Sequence, residues 1–513
     1  MNAGNNEAYD LAVIGGGING AAIACDASGR GLRVALAEMQ DFAEGTSSRS
    51  SKLIHGGLRY LETYDFKLVR DALIEREILM RRTPHLVWPL RLVLPHVESQ
   101  RPRWMIRLGL LFYDYLAPRR VLRRSETIDL HRHQAGEALK PGYRHAFAYS
   151  DCRGDDARLV IANLLGAERH GARILARHRF IAAEREGDLW RITLENKGSR
   201  LEIASRALVN AAGPWVVDVA GKMKVPVGRR LRLVRGSHIV VPRQWLGDHG
   251  YFLQTRDGRL MEAFPYEGDF TSVGTTDEPW DEAPEKVRIS DKEVDYMLAE
   301  VNEFLRKPVT RADIIWSYSG VRPLFETGGG RDGDLSTLTR DYSFEIDHEE
   351  GRAPALTVFG GKLTTHRRLA EHAMQKLCAV MPWPAACPSR SDVLPGGDFG
   401  PGGLESYGNA LRARLPWLPE TQANRYVRLY GTRTGDLLHG AQGLADLGPL
   451  IGADLYCREV DFLKQTEWAE TVEDIVWRRT KLGLRLSPVE IAGLQSYLKE
   501  TAYPDLEIER APS

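Results

Sequence analysis

Residues 10–38 read DLAVIGGGINGAAIACDASGRGLRVALAE, and this stretch restricts the fold more than any other part of the chain. Leu11 to Ile14 is a short apolar strand. Gly15, Gly17 and Gly20 then form GxGxxG, and the AAIACDA that follows has helix-forming composition. A second strand, Arg33 to Ala37, ends at Glu38. Strand, glycines, helix, strand and terminal acid in that order specify a βαβ unit that holds a dinucleotide. Gly15 permits the tight turn, Gly17 leaves room for a pyrophosphate at a helix N-terminus, and Gly20 lets helix and strand pack. Glu38 can take both hydroxyls of an adenosine ribose. It would repel a ribose phosphate, which argues against NADP and leaves FAD or NAD.

Two later segments return to the same half. Residues 207–215, ALVNAAGPW, run from a strand into small residues and the sharp Gly213–Pro214 turn. From residue 355, ALTVFGGKLTTHRRLAEHAMQKL runs from a strand into Gly360 and Gly361, with a helix beginning around Thr364. Backbone N–H groups at such a helix start suit the pyrimidine end of an isoalloxazine. Three separate visits to one sheet fit FAD better than a simple NAD domain.

With 513 residues the chain has room for two or three domains. LRLVRGSHIVVP, GYFLQT, GRLMEAFPYEG and FTSVGTT alternate as strands of an antiparallel sheet, interrupted by a helix near Asp291 to Leu305. Beyond Pro384 a Pro/Gly-rich connector containing LPGGDFGPGG marks a boundary, and mainly helical patterns follow, including DLYCREVDFLKQ and TVEDIVWRRTKLGL. The 69 basic and 69 acidic side chains cancel and give no support for nucleic-acid binding. Five scattered cysteines without a CxxC pair argue against disulfides or zinc, and no spacing of ligands suggests a catalytic metal. Neither a signal peptide nor an apolar run of membrane-spanning length is evident, so a cytosol-facing protein is expected. Residues 101–124, RPRWMIRLGLLFYDYLAPRRVLRR, combine apolar side chains with arginines and one acid, Asp114. Such a segment can lie in a membrane interface and attract anionic phospholipid.

IGGGINGAAIA, TSSRSSKLIHGGLRYLE, YSDCRGDDARLV, VNAAGPWV, GSHIVVPR, YSGVRPL, TRDYSFEI and FGGKLTTHRRLAEHA together resemble the FAD-dependent sn-glycerol-3-phosphate dehydrogenases of the bacterial respiratory branch, which are also similar to the mitochondrial enzyme. The resemblance spans about residues 8–500. It implies an α/β FAD-binding Rossmann-like domain, an antiparallel β substrate cap and a C-terminal helical domain. The FAD-binding domain is expected in three parts, 8–80, 146–220 and 351–384. A helical, basic, membrane-facing insertion at 81–145, the cap at 221–350 and the helical domain at 385–513 complete the chain. The implied reaction oxidises glycerol 3-phosphate to dihydroxyacetone phosphate and passes electrons to ubiquinone or another membrane quinone. A homodimer attached peripherally or monotopically to the cytoplasmic face of the inner membrane is the implied setting. The alternatives are a glycerol-3-phosphate oxidase making hydrogen peroxide, a related amine or hydroxy-acid oxidase, and a non-catalytic FAD-binding module.

The loop TSSRSSKLIHGGLRY, residues 46–60, supplies the next candidates. Thr46, Ser47, Ser51 and Lys52 can wrap ribityl and pyrophosphate, while Gly57 lets backbone pass beside a planar ring. His55 lies in the same loop, with tethering, packing and base roles all open. By resemblance, Arg59 and Tyr60 match ligands of the substrate phosphate. Oxidation of a secondary alcohol also needs a proton acceptor and positive charge near the oxygen. By resemblance, Arg322, rigidly set in YSGVRPL, is the first choice for the developing alkoxide; His238 in LVRGSHIVVP can take a proton near neutral pH, with Lys362, His55 or a water relay also open as the base. Arg340 is a candidate third member of the phosphate clamp. Lys362 either favours an anionic reduced flavin or contacts substrate. Gly213 and Gly361 complete the expected cofactor contacts.

Overall fold

The apolar run at the N-terminus becomes the strand Tyr9–Ile14, buried from Leu11 onward, in the middle of a parallel sheet. Sheet order is Ser343–Asp347, Ala355–Phe359, Ser199–Asn210, Tyr9–Ile14, Val34–Ala37, Arg173–Leu175, with only the first of these antiparallel to its neighbour. The computed structural model describes residues 8–61, 64–97, 101–326, 338–339, 341–386 and 388–501; the side chains of residues 59, 326, 338, 339 and 388 lie outside that description. Helices Asp156–Arg169 and His366–Cys378 pack against Ile18–Gly29, the helix that follows the glycine turn. The distant strands 199–210 and 355–359 flank Tyr9–Ile14 on one side, so the nucleotide half is built from discontinuous sequence.

A second, eleven-stranded sheet runs from Leu338–Thr339 through Trp316–Glu326, Leu231–Pro242, Phe270–Gly274, Leu260–Tyr266, Gly250–Gln254, Val87–Pro95 and His145–Gly154 to Leu53–Ile54. Its pairs are antiparallel except where Gly250–Gln254 meets Val87–Pro95. Alternation sorts its two faces. Ile239, Val241, Tyr251, Leu253, Ala263 and Val273 pack with Met297, Val301 and Phe304 of the helix Asp291–Phe304. The intervening residues, including His238, Phe252, Gln254 and Glu262, face a cavity on the other side.

The sheets place three segments differently from the sequence expectation. Residues 145–154 extend the second sheet rather than the nucleotide half, because His145–Gly154 pairs along its whole length with Val87–Pro95. The stretch 81–145 therefore carries a central strand as well as a basic helix, Arg103–Tyr115. Ser343–Asp347, expected in the cap, hydrogen-bonds to Ala355–Phe359 in the nucleotide sheet. Backbone groups buried at a sheet edge need partners, and these edges provide them.

The chain divides into two compact units at Asp398/Phe399, inside LPGGDFGPGG and downstream of the expected residue 385. The second unit has its own core, with Leu411, Tyr426, Val460, Leu463, Ile475 and Leu494 buried together. Cys457–Glu467 is an α-helix as its pattern predicts. TVEDIVWRRTKLGL instead forms a π-helical segment, Asp474–Arg479, and a short 3-10 turn. There Asp474 accepts from the backbone N–H groups of Glu470 and Thr471 and from Arg478. No helix among the described residues is long and apolar enough to cross a membrane.

Candidate active site

Gly15 has a φ of +112°, and a Cβ there would lie 2.5 Å from the carbonyl oxygen of Ala211, so only glycine fits the turn. A Cβ on Gly20 would meet the Gly15 oxygen at 1.9 Å, which makes this glycine a packing residue rather than a cavity wall. Gly17 caps the helix Ile18–Gly29, and Ser47 Oγ accepts from Ile18 N–H at 2.9 Å. The Glu38 carboxylate accepts from Gly16 N–H at 2.7 Å and Gln40 N–H at 2.9 Å. Burial raises its pKa, against the effect of those two donors. Glycine turn, Ser47 and Glu38 all line one cavity of about 1050 Å3 that continues past His55 and Gly57 to Lys362.

The serine-rich loop is fastened at several points. Thr46 Oγ1 donates to Val321 O at 2.6 Å, and Arg49 to Ser319 O at 3.1 Å, which ties the loop to Trp316–Glu326. Thr46, Ser47, Ser51 and His55 line the cavity. Lys52 does not. Its ammonium is buried 3.0 Å from Asp156, donates to Ser48 O and Ser50 O, and stands 4.3 Å over the Tyr318 ring. The expectation that Lys52 holds the cofactor is corrected: it neutralises a buried carboxylate that would otherwise be strongly destabilising. Gly57, at φ +76°, carries the Tyr60 ring 2.4 Å from where a Cβ would stand, and Lys362 Nζ lies 3.9 Å from that ring's centre. Tyr60 and Lys362 are thus brought together. The Arg59 side chain and Arg340 lie outside the described residues.

Across the cavity, Arg322 Nη2 donates to Thr276 O at 2.8 Å and pairs with Asp277 at 2.5 Å. A Cβ on Gly236 would lie 2.6 Å from that nitrogen, so the guanidinium lies against the glycine. His238, 3% exposed, stacks on Tyr318 with ring centres 4.7 Å apart and planes 8° from parallel. Neither of its ring nitrogens has a hydrogen-bond partner. Desolvation, and then the positive charges of Lys52 and Arg322, hold its pKa well below the ordinary histidine value. The site therefore sets a neutral imidazole near a fixed guanidinium on a single sheet face.

Gly213 and Gly361 also line the cavity, at φ +56° and +105°. Asn19 donates to Gly360 O at 2.9 Å while its buried Oδ1 has no partner. Sequence reading passed over Asn19, Glu262 and Asp277. Glu262 did leave a signal, since it is the one acid in the alternation Leu260, Glu262, Phe264. Towards Arg103–Tyr115 the lining turns apolar, through Leu61, Phe66, Met105, Leu108 and Phe112.

A family model described as FAD dependent oxidoreductase matches residues 10–367. The chain belongs to that family. The glycine turn that excludes a Cβ, the orphaned Asn19 oxygen and the single long cavity fit FAD, its cofactor. Relatives of this FAD-dependent oxidoreductase include a D-erythritol 1-phosphate dehydrogenase of Brucella abortus, 47% identical over 95% of this chain and 97% of that one. A glycerol-3-phosphate dehydrogenase of Pseudomonas aeruginosa is 48% identical over 96% and 95%. Among solved structures, the glycerol-3-phosphate dehydrogenase from Bacillus halodurans complexed with FAD superposes with a TM-score of 0.74 at 26% identity, over 96% of this chain and 90% of that chain. The L-α-glycerophosphate oxidase from Mycoplasma pneumoniae with FAD bound gives 0.59 at 15% identity, over 75% and 99%, a likeness of fold alone.

Proposed function

We propose that this enzyme oxidises a polyol phosphate, with glycerol 3-phosphate as the first candidate, and delivers the electrons to a membrane quinone. The observation that carries the reading is the placement of His238, buried, neutral and unpartnered, beside the Asp277-held Arg322 in the cavity that also contains the glycine turn. When bound, FAD supplies the acceptor for the hydride of the carbinol carbon. His238 takes the hydroxyl proton on one ring nitrogen, and the imidazolium so formed returns it to solvent. Arg322 stabilises the negative charge that develops on the oxygen as the proton leaves. Two electrons leave with the hydride, so an alcohol becomes a ketone. Arg59, Tyr60 and Arg340 form the proposed phosphate clamp, with Lys362 beside Tyr60 contributing charge.

The cavity's other end supports this choice of acceptor. Trp104, Leu108, Leu111, Phe112 and Tyr115 are exposed along one side of Arg103–Tyr115, and Leu108 and Phe112 also line the cavity. That exposed apolar side supports a lipid-soluble acceptor and attachment to an anionic membrane surface. The Brucella relative adds a second substrate reading, D-erythritol 1-phosphate.

Denaturing the holoenzyme should release FAD. Anaerobic mixing with glycerol 3-phosphate and, separately, D-erythritol 1-phosphate should bleach the bound flavin with at least one of them. A quinone analogue should reoxidise it faster than air. Flavin that neither substrate bleaches overturns the reading, and faster reoxidation by air with peroxide release makes the enzyme an oxidase.

A further inference from the structure

One row across the larger sheet holds a group that the oxidation chemistry leaves unused. Tyr318, His238, Gly274, Glu262 and Phe252 are direct cross-strand partners on five successive strands. Their side-chain positions therefore rise from one face. The middle position is glycine, and a Cβ there would lie 2.2 Å from His238 Cδ2. The imidazole therefore lies over the glycine, in space that any side chain there would fill, on the row that continues to the Glu262 carboxyl. His238 and Glu262 both line the cavity.

Glu262 is buried, Ser51 hydrogen-bonds its carboxyl, and Oε2, sealed from solvent, has no partner. Buried polar atoms are nearly always satisfied, and one left open is costly. Two orphans in the wall of one cavity suit a ligand that brings hydrogen-bonding atoms to both. Burial pushes the Glu262 acid up to about 8, with Ser51 and Arg322 acting against that rise and Asp277 adding to it. Below that pH the group is a neutral acid, able to donate through O–H and accept through C=O. Such a group suits an uncharged hydroxyl and offers an anion or an ammonium no opposite charge. A vicinal diol can present one oxygen to the imidazole and its neighbour to the carboxyl.

Building on the polyol phosphate reading, we infer that Glu262 determines specificity by binding the hydroxyl on the carbon next to the one oxidised. The enzyme then requires a vicinal diol, and a substrate with hydrogen in place of that hydroxyl leaves the carboxyl unpaired. Glu262 makes and breaks no covalent bond in the reaction.

The test compares glycerol 3-phosphate with propane-1,2-diol 1-phosphate, which keeps the secondary alcohol and phosphate and lacks the terminal hydroxyl. Anaerobic rapid mixing gives the flavin reduction rate divided by the dissociation constant for each. Wild-type enzyme should prefer glycerol 3-phosphate by roughly a hundredfold, because an analogue lacking the hydroxyl strands a buried group. Glu262→Leu should bring the preference to within about threefold, mainly by weakening glycerol 3-phosphate. Glu262→Gln, which still donates and accepts, should retain most of it. A wild-type enzyme without preference, a Leu variant that keeps it, or equal losses on both substrates would overturn the assignment. If Glu262→Leu fails to retain FAD, Glu262→Asp decides: one carbon shorter, it should lose roughly tenfold in preference, and an unchanged ratio overturns the role. Wild-type flavin that neither compound reduces defeats the polyol phosphate reading itself, a result distinct from loss of discrimination.

Discussion

In the proposed reaction Arg322 and His238 divide one task, and their surroundings explain how. Asp277 and the Thr276 carbonyl fix the guanidinium, while apolar burial and the cations Lys52 and Arg322 keep the imidazole neutral. Tyr318 stacks on that ring, which lies over Gly274, and Glu262 is the next residue of the same cross-strand row. Arg322→Met should retain FAD and slow flavin reduction by roughly 10²–10³-fold, the cost of losing one strong transition-state donor. A parent-like rate at saturating substrate in rapid-mixing experiments would reject the role. The lowered His238 pKa also has a pH consequence. Its proton-accepting form is present above that pKa and lost below it. The reduction rate should thus persist as pH falls through the ordinary histidine value of about 6.5 and drop only at lower pH. His238→Asn should be slow throughout and lack that acid limb; a wild-type limb centred at the ordinary value would move the base elsewhere. Sequence made the glycines and Glu38 legible because their roles depend on local backbone geometry. Lys52 was misread because its partner, Asp156, is more than a hundred residues away and only folding brings the two charges together.

Elements read from sequence succeeded where periodicity is local. Leu231–Pro242 and Asp291–Phe304 follow their alternation and helical spacing, the latter opened by a Ser290/Glu293 capping box. Sheet membership was harder. The strands Leu53–Ile54, Val87–Pro95 and His145–Gly154 join the larger sheet through pairings that no neighbouring residue announces. The helix Arg103–Tyr115 shows both sides of the problem. Its apolar content was evident, yet Leu110 and Tyr113 are buried. Tyr113 hydrogen-bonds Asp151 and receives the Gly56 N–H at 2.8 Å, anchoring the helix to the loop of residues 46–60. What remains outward is Trp104, Leu108, Leu111, Phe112 and Tyr115, at i, i+4, i+7, i+8 and i+11. Trp104→Asp combined with Phe112→Asp should lower binding to anionic vesicles by roughly tenfold or more, since it removes interfacial apolar area and adds repulsion. The anaerobic rate of flavin reduction should stay near the parent value. Undiminished co-sedimentation with vesicles would show that another surface meets the membrane.

At the scale of the whole molecule, the chain forms two compact units. Every residue lining the cavity lies between Ile14 and Thr364, within the unit that ends at Asp398. The unit from Phe399 onward has its own buried core, and its buried carboxylates are matched internally, as in Arg425 with Glu459 and Arg433 with Glu467. Its stability is therefore expected to be independent of the nucleotide. A ligand that binds only the native state stabilises the part that holds it, by about 2.7 kcal/mol at a hundredfold excess over its dissociation constant. Calorimetry of the holoenzyme should resolve two transitions. Removing FAD should lower one of them by a few degrees, roughly as expected for a loss of that size in a large domain, and leave the other in place. Readdition of FAD should restore the displaced transition. A single transition that shifts as one would mean that the second core does not unfold independently.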